Sequence, residues 1–211
     1  MSKTRASQKI KVEAPSTVNR KVTPIRESNR ALRPREYLKP DEMERLMIAA
    51  AKAGRYGHRD ATLMLLTYRH GLRVSELVAL RWDQVDLKSG LLHVNRNKNG
   101  IVSVQPLRGP ELRALRRMQR EGSVGAYVFM TERGGPMTTD NVRKMVQRAG
   151  QVARLPFSIH PHMLRHACGY KLANDGHDTR AIQQYLGHKN IQHTVRYTEL
   201  SPQRFKDFWK D

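Results

Sequence analysis

The sequence predicts an α+β fold, mainly α-helical, with one small three-stranded antiparallel sheet set among the helices. Apolar residues recur at helical intervals in several stretches, among them Leu46/Met47/Ala50, Leu112/Leu115/Met118 and Leu164/Cys168/Leu172. Between Gln84 and Leu107 the period drops to two: Val85 and Leu87, a Lys88-Ser89-Gly90 turn, Leu92/Val94, an Asn99-Gly100 turn, and Val102/Val104. A third observation bounds the partner. The 211 residues carry 39 Lys+Arg against 19 Asp+Glu, a formal charge of +20 that suits a polyanion and implies salt-sensitive nucleic-acid binding. That length fits one domain, or one domain with an appendage.

The single cysteine, Cys168, excludes an internal disulfide framework and a CxxC zinc site. No apolar run approaches a membrane span, and Met1 to Lys11 is polar and basic without the apolar core of a secretory signal. These features point to the cytoplasm, in association with the nucleoid.

Taken in order, residues 1–40 hold eleven Lys/Arg and three Asp/Glu, with Pro15, Pro24, Pro34 and Pro40 interrupting any helical period. The expected organisation is a flexible basic arm over 1–36 and a folded domain over 37–211. Asp41 and Glu44 stand at capping-box spacing before a helix that runs to Gly54. A second helix spans about His58 to His70, with Gly71 as its stop, and a short third runs from Val74 to Leu80. Arg73 thus falls in a junction between helices, where a guanidinium projects into a cleft, and Glu76 is placed to hold Arg73 or His162.

After the sheet, Pro110 to Glu121 is a helix with Arg113, Arg116, Arg117 and Arg120 opposite its apolar side. Thr138 or Thr139 caps a helix to Ala153 that carries Arg143, Lys144 and Arg148, candidates for the DNA major groove. Pro161 opens a further helix on which His162 and Arg165 share a face. His160, His162 and His166 raise the possibility of zinc, but no acidic or cysteine partner completes a ligand set, so no metal is expected. Asp178 caps the next helix, Gly187 ends it with His188 in the turn beyond, and a short helix from Asn190 presents Tyr197. Ser201 to Trp209 reads as an amphipathic helix with Phe205, Phe208 and Trp209 as its apolar content.

Histidines, arginines and a tyrosine so grouped suit phosphodiester chemistry. A tyrosine attacks a phosphate only if its proton is removed, and the phosphorane and leaving oxygen need cations and a proton donor. His162-x-x-Arg165, then Leu186-Gly187-His188, then Tyr197 nine residues on, resembles the carboxy-terminal signature of the tyrosine recombinases, the phage integrase family. Gly71-Leu72-Arg73-Val74-Ser75-Glu76-Leu77 resembles that family's first arginine motif, and Lys98 stands where the family places a lysine on a β-hairpin.

The resemblance implies that Arg73, Lys98, His162, Arg165, His188 and Tyr197 form the catalytic set, with Tyr197 as nucleophile and Glu76 in support. It implies a 3′-phosphotyrosyl intermediate, no cofactor, and four protomers on two double-stranded DNA sites, with an accessory DNA-bending protein as a further candidate partner. Lys98 becomes the proton donor to the departing 5′ oxygen, with Arg96 and Lys88 as rivals; Arg96 is also a candidate DNA contact. The short chain, and the runs His160 to His166 and Leu186 to Ile191, look similar to the recombinases that invert fimbrial promoter switches. DNA inversion is therefore the leading expectation, followed by integration or excision. A type IB topoisomerase-like nicking-closing enzyme and a non-catalytic DNA-binding regulator of the same fold are the alternatives, and a basic RNA-binding structural protein comes last.

Overall fold

The computed structural model describes residues 35–96, 102–121 and 125–199, together with Phe205 and Trp209. The described residues form α1 (Pro40–Lys52), α2 (Gly57–His70), α3 (Val74–Val78), β1 (Val85–Asp86), β2 (Leu91–Val94), β3 (Ser103–Pro106), α4 (Gly109–Glu121), α5 (Thr139–Val152), α6 (Pro161–Asn174), α7 (Thr179–Leu186) and α8 (Gln192–Glu199). Lys98 and residues 1–34 lie outside the described residues, as does the segment after Glu199 apart from Phe205 and Trp209.

Pro40 sits in the first turn of α1, where a missing N–H leaves no bond unmade, and Glu42 accepts the Lys39 N–H at 2.9 Å. Glu42 therefore closes this turn, in place of the expected Asp41/Glu44 pair, because the proline has already fixed the start. Met43, Leu46 and Ala50 of α1 face α2, and α2 in turn packs against α4 and α6. This explains its dense apolar content: Leu63, Met64 and Leu66 are all fully buried. Val142, Val146 and Ala149 bring α5 against α1, completing the main core.

The third helix ends earlier than expected, at Val78. The Leu80 carbonyl is taken by the Val128 N–H and the Trp82 N–H by the Ala126 carbonyl, so the chain is drawn into a bridge with the extended run at 126–128. The sheet has the expected antiparallel order β1-β2-β3, and its first turn forms as Asp86 accepts the N–H groups of Lys88 and Ser89. Its apolar face differs from the alternation in sequence. Leu92 pairs with Gln105, and His93 with Val104. Gln105 therefore turns inward with Leu92, while Val102 and Val104 face solvent. Gln105 is held there by His70 Nδ1 on its carbonyl oxygen and by the Tyr185 carbonyl, to which its amide donates.

A second, smaller apolar cluster gathers Cys168, Ala173, Ile182, Leu186 and Tyr197 where α6, α7 and α8 meet. The two clusters touch through the end of α2. Gly71 adopts the left-handed conformation, φ +57°, and a Cβ there would lie 2.3 Å from the Leu186 side chain. Gly71→Ala combines that strain with that overlap, and is expected to lower unfolding stability by about 1–3 kcal/mol. Urea denaturation followed by circular dichroism measures this; an unchanged midpoint would mean that neither effect operates.

Candidate active site

Helix α7 determines the site. It starts where the Asp178 carboxylate accepts the N–H groups of Arg180 and Ala181, and stops at Gly187, in the left-handed region at φ +64°. The last carbonyls of a helix lack intrahelical donors and concentrate its negative dipole end. Three guanidinium groups converge on them: Arg96 donates to the Tyr185 carbonyl at 2.5 Å, Arg165 to Leu186 at 2.7 Å, and Arg73 to Gly187 at 3.4 Å. Arg165 also donates to the carbonyl of Gly71, the cap of α2, so one side chain ties two helix ends together.

Arg165 is only 1% exposed. Burial, then the charges of Arg73 and Arg96, bring its pKa down to about 10, which leaves it cationic at neutral pH. Glu76 balances the group. Its Oε1 accepts from the Arg73 side chain at 2.7 Å, and its Oε2 from the Arg73 backbone N–H at 2.8 Å and from Arg96 at 2.7 Å. Of the two partners expected for Glu76, the structure selects Arg73 and adds Arg96. Arg96 itself corrects the sequence reading. It is buried and engaged on Glu76 and Tyr185, not displayed as a DNA contact or a rival hairpin cation, because the end of α7 covers it.

His188 follows Gly187 directly. Its Nδ1 lies 2.8 Å from the Thr194 hydroxyl and its ring stacks along that of Tyr197, with centroids 6.2 Å apart. Burial, then Arg165 and Arg73, lower its pKa to about 3, so the imidazole is neutral. On its outer side is an open hollow of about 710 Å³ whose lining includes Arg73, Arg180, His188 and Lys189. A cationic hollow beside an aligned histidine is suited to a phosphate.

Tyr197 lies in the second apolar cluster and is 1% exposed. Its ring passes so close to Gly169 that a Cβ there would stand 2.6 Å from it. Tyr170 meets it edge-on at 5.0 Å, and Tyr37 packs in turn on Tyr170 at 4.0 Å. Burial pushes the phenol up to about 12, with Arg196 and Arg165 opposing.

The phenol oxygen lies 2.7 Å from Nδ1 of His166, a residue the sequence reading considered only as a zinc candidate. Arg196, which has only donors, stands 3.1 Å from Nε2 and 3.4 Å from Nδ1 of the same ring. The pKa of His166 is lowered to about 2, by burial first and then by His162 and Arg196, so the ring carries one proton. Protonated at Nδ1, the ring donates to the tyrosine oxygen; protonated at Nε2, it accepts from the tyrosine hydroxyl. The signal in sequence was spacing: residues 162, 165 and 166 share one helix face, and a buried tyrosine hydroxyl needs a polar partner. His162 is exposed, its ring 4.3 Å from that of His166; partial desolvation, then Arg165, bring its pKa to about 4.

The structure thus brings Arg73, Glu76, Arg165, His162, His188 and Tyr197 into one neighbourhood around α6 to α8. Arg143 and Lys144 are exposed on α5 and both pair with Asp140; Arg148 is exposed on the same helix. Among the described residues no group of three His, Cys, Asp or Glu side chains could hold a metal ion, and no helix is long and apolar enough to cross a membrane.

Residues 36–204 match the model of the phage integrase family. The chain is 43% identical over 182 residues to the type 1 fimbriae regulatory protein FimE of Escherichia coli strain K12, covering 83% of this chain and 91% of that protein. It is 36% identical over 167 residues to tyrosine recombinase XerC of Xanthomonas campestris pv. campestris strain B100, 78% of this chain and 51% of that longer protein. Among solved structures, the crystal structure of XerA recombinase superposes with a TM-score of 0.71 at 27% identity, covering 82% of this chain and 63% of that one.

Three buried histidines make stability depend on pH. His70, His166 and His188 have pKa values near 4, 2 and 3 in the fold, against about 6.5 when unfolded. As pH falls below about 6.5 the unfolded chain takes up protons that the folded chain refuses, so stability drops, by up to about 1.4 kcal/mol per pH unit for each group. Above about pH 7 these groups contribute no slope. Thermal melts at pH 7.5 and 5.0 are expected to show a lower midpoint at pH 5.0, with a smaller difference in His166→Gln; equal midpoints would contradict the burial of these rings as neutral groups.

Proposed function

The chain belongs to the phage integrase family of tyrosine recombinases, and from that premise we propose that it cleaves and rejoins double-stranded DNA at specific sites through a 3′-phosphotyrosyl bond to Tyr197. The observation that carries this reading is the convergence of Arg73, Arg165 and His188 beside the ring of Tyr197, at the edge of a cationic hollow. In the proposed reaction the Tyr197 oxygen attacks the scissile phosphorus as its proton leaves. Arg73, Arg165 and His188 stabilise the non-bridging oxygens of the phosphorane. The bond to the 5′ oxygen breaks, and Lys98 supplies the proton that makes it a hydroxyl. Attack by a 5′ hydroxyl of the partner duplex reverses these steps and releases the tyrosine. The phosphotyrosyl ester conserves the bond energy, so the exchange draws on no nucleotide.

In the proposed reaction His166, protonated at Nδ1, donates to the phenol oxygen and so favours the phenolate that forms during attack. His162 is neutral and exposed beside His166, and in the proposal it relays the departing proton to solvent without holding it. Tyr197 has to leave its apolar niche to reach a phosphate. In the proposal α8, packed on α6 and α7 around the smaller cluster, shifts to release it.

Inversion of a DNA segment is the outcome we favour, supported by the likeness to FimE over nearly its whole length. The working assembly in this proposal is four protomers on two sites. The basic residues of 1–36 and the exposed Arg143, Lys144 and Arg148 add phosphate or groove contacts, with an accessory DNA-bending protein aiding synapsis.

Incubation with nicked suicide DNA bearing candidate sites tests the chemistry. A slowly migrating covalent band is expected on a denaturing gel with the wild type, and none with Tyr197→Phe. Sound binding without any band would favour the non-catalytic regulator instead. Lys98→Ala is expected to cleave at least about 100-fold more slowly, and to regain most of the rate on a 5′-bridging phosphorothiolate, whose leaving group needs no proton. Absence of that rescue would remove Lys98 as the acid.

A further inference from the structure

Arg96 plays no part in the scheme above, yet it is built into the site more deeply than Arg73. Its side chain has 0% exposure, and so near is it to Gly187 that a Cβ there would lie 2.8 Å from Nε. One arm of the guanidinium donates to Glu76 at 2.7 Å and the other to the Tyr185 carbonyl. Nε has no hydrogen-bond partner among the described residues. Burying an arginine in this way is a poor route to stability, since desolvation opposes it and one donor is left unused. The arrangement does fix one thing firmly, namely the Glu76 carboxylate that orients Arg73.

We propose that Arg96 is a positioning residue for the phosphate clamp: it locks Glu76 against the end of α7, and Glu76 in turn aims Arg73 at the scissile phosphate. This deepens the strand-cleavage reading and rests on it. Glu76 has two oxygens, and Arg73 engages both, through its side chain and its backbone N–H. Arg73 alone would let the carboxylate follow the guanidinium, which is partly exposed. A second cation on Oε2, itself anchored on a helix carbonyl, gives the carboxylate a fixed orientation.

The test compares Arg96→Met and Arg96→Lys with wild type on two suicide substrates, one with an ordinary scissile diester and one with a neutral methylphosphonate at that position. Filter binding on the same DNA, and a thermal melt, accompany each. The methylphosphonate lacks one charged non-bridging oxygen and so depends less on the clamp. Arg96→Met is expected to bind DNA as wild type does, and to cleave the diester at least tenfold more slowly. On the methylphosphonate its deficit shrinks to a few-fold, and Arg96→Lys restores part of the diester rate. A variant that only loosened the fold would lose rate equally on both substrates. Equal losses, or a wild-type rate in Arg96→Met, would overturn the proposal. Should Arg96→Met fail to fold, Arg96→Lys carries the same comparison, since it keeps the charge on Glu76 but loses the fork to Tyr185. Lack of any covalent product with the wild type is a separate result, and it counts against strand cleavage itself.

Discussion

The end of α7 is the contact on which the rest of the site depends. A helix C-terminus exposes carbonyls that want donors, and here three consecutive ones receive arginines from three distant parts of the chain: the turn after α2, the strand leading into the hairpin, and the middle of α6. Like charges gathered so closely repel one another. The dipole end of α7 and the Glu76 carboxylate make the gathering tolerable, and the remaining positive potential faces the hollow beside His188. Two left-handed glycines make this geometry possible. Gly71 ends α2 and Gly187 ends α7, and Arg165 reaches the carbonyls at both stops.

The same electrostatics set the protonation of the site. His162, His166 and His188 are held neutral by burial and by adjacent guanidinium groups. In the proposed reaction charge stabilisation falls to the arginines, and the imidazoles remain available to donate and accept hydrogen bonds. In His166 this division is most direct, because its Nδ1 lies against the Tyr197 hydroxyl.

Much of this was legible in the chain because it is local. Helix stops at Gly71 and Gly187, the Asp178 cap, and the change of period at the sheet are each written in a few adjacent residues, and so is the face shared by His162 and Arg165. What escaped depends on contacts far apart in sequence. Arg96 looks like any charge near a hairpin tip; only the arrival of Tyr185, 89 positions later, buries it. Val102 and Val104 read as an inward apolar face, yet the needs of His70 and Tyr185 turn Gln105 inward instead. His166 resembled a spare histidine until Tyr197 was seen to lie against it.

For the proposed strand cleavage, keeping the Tyr197 hydroxyl among apolar side chains has a consequence for the organism's genome. A protomer diffusing along a chromosome meets vast numbers of phosphodiesters chemically identical to its target, and the proposed nucleophile, Tyr197, reaches none of them while its ring stays packed on Gly169 and Tyr170. Fidelity therefore need not come from sequence recognition alone. In that proposal it is shared with the work of prising α8 loose, so a wrong site that binds tolerably well but does not move the helix is left unbroken.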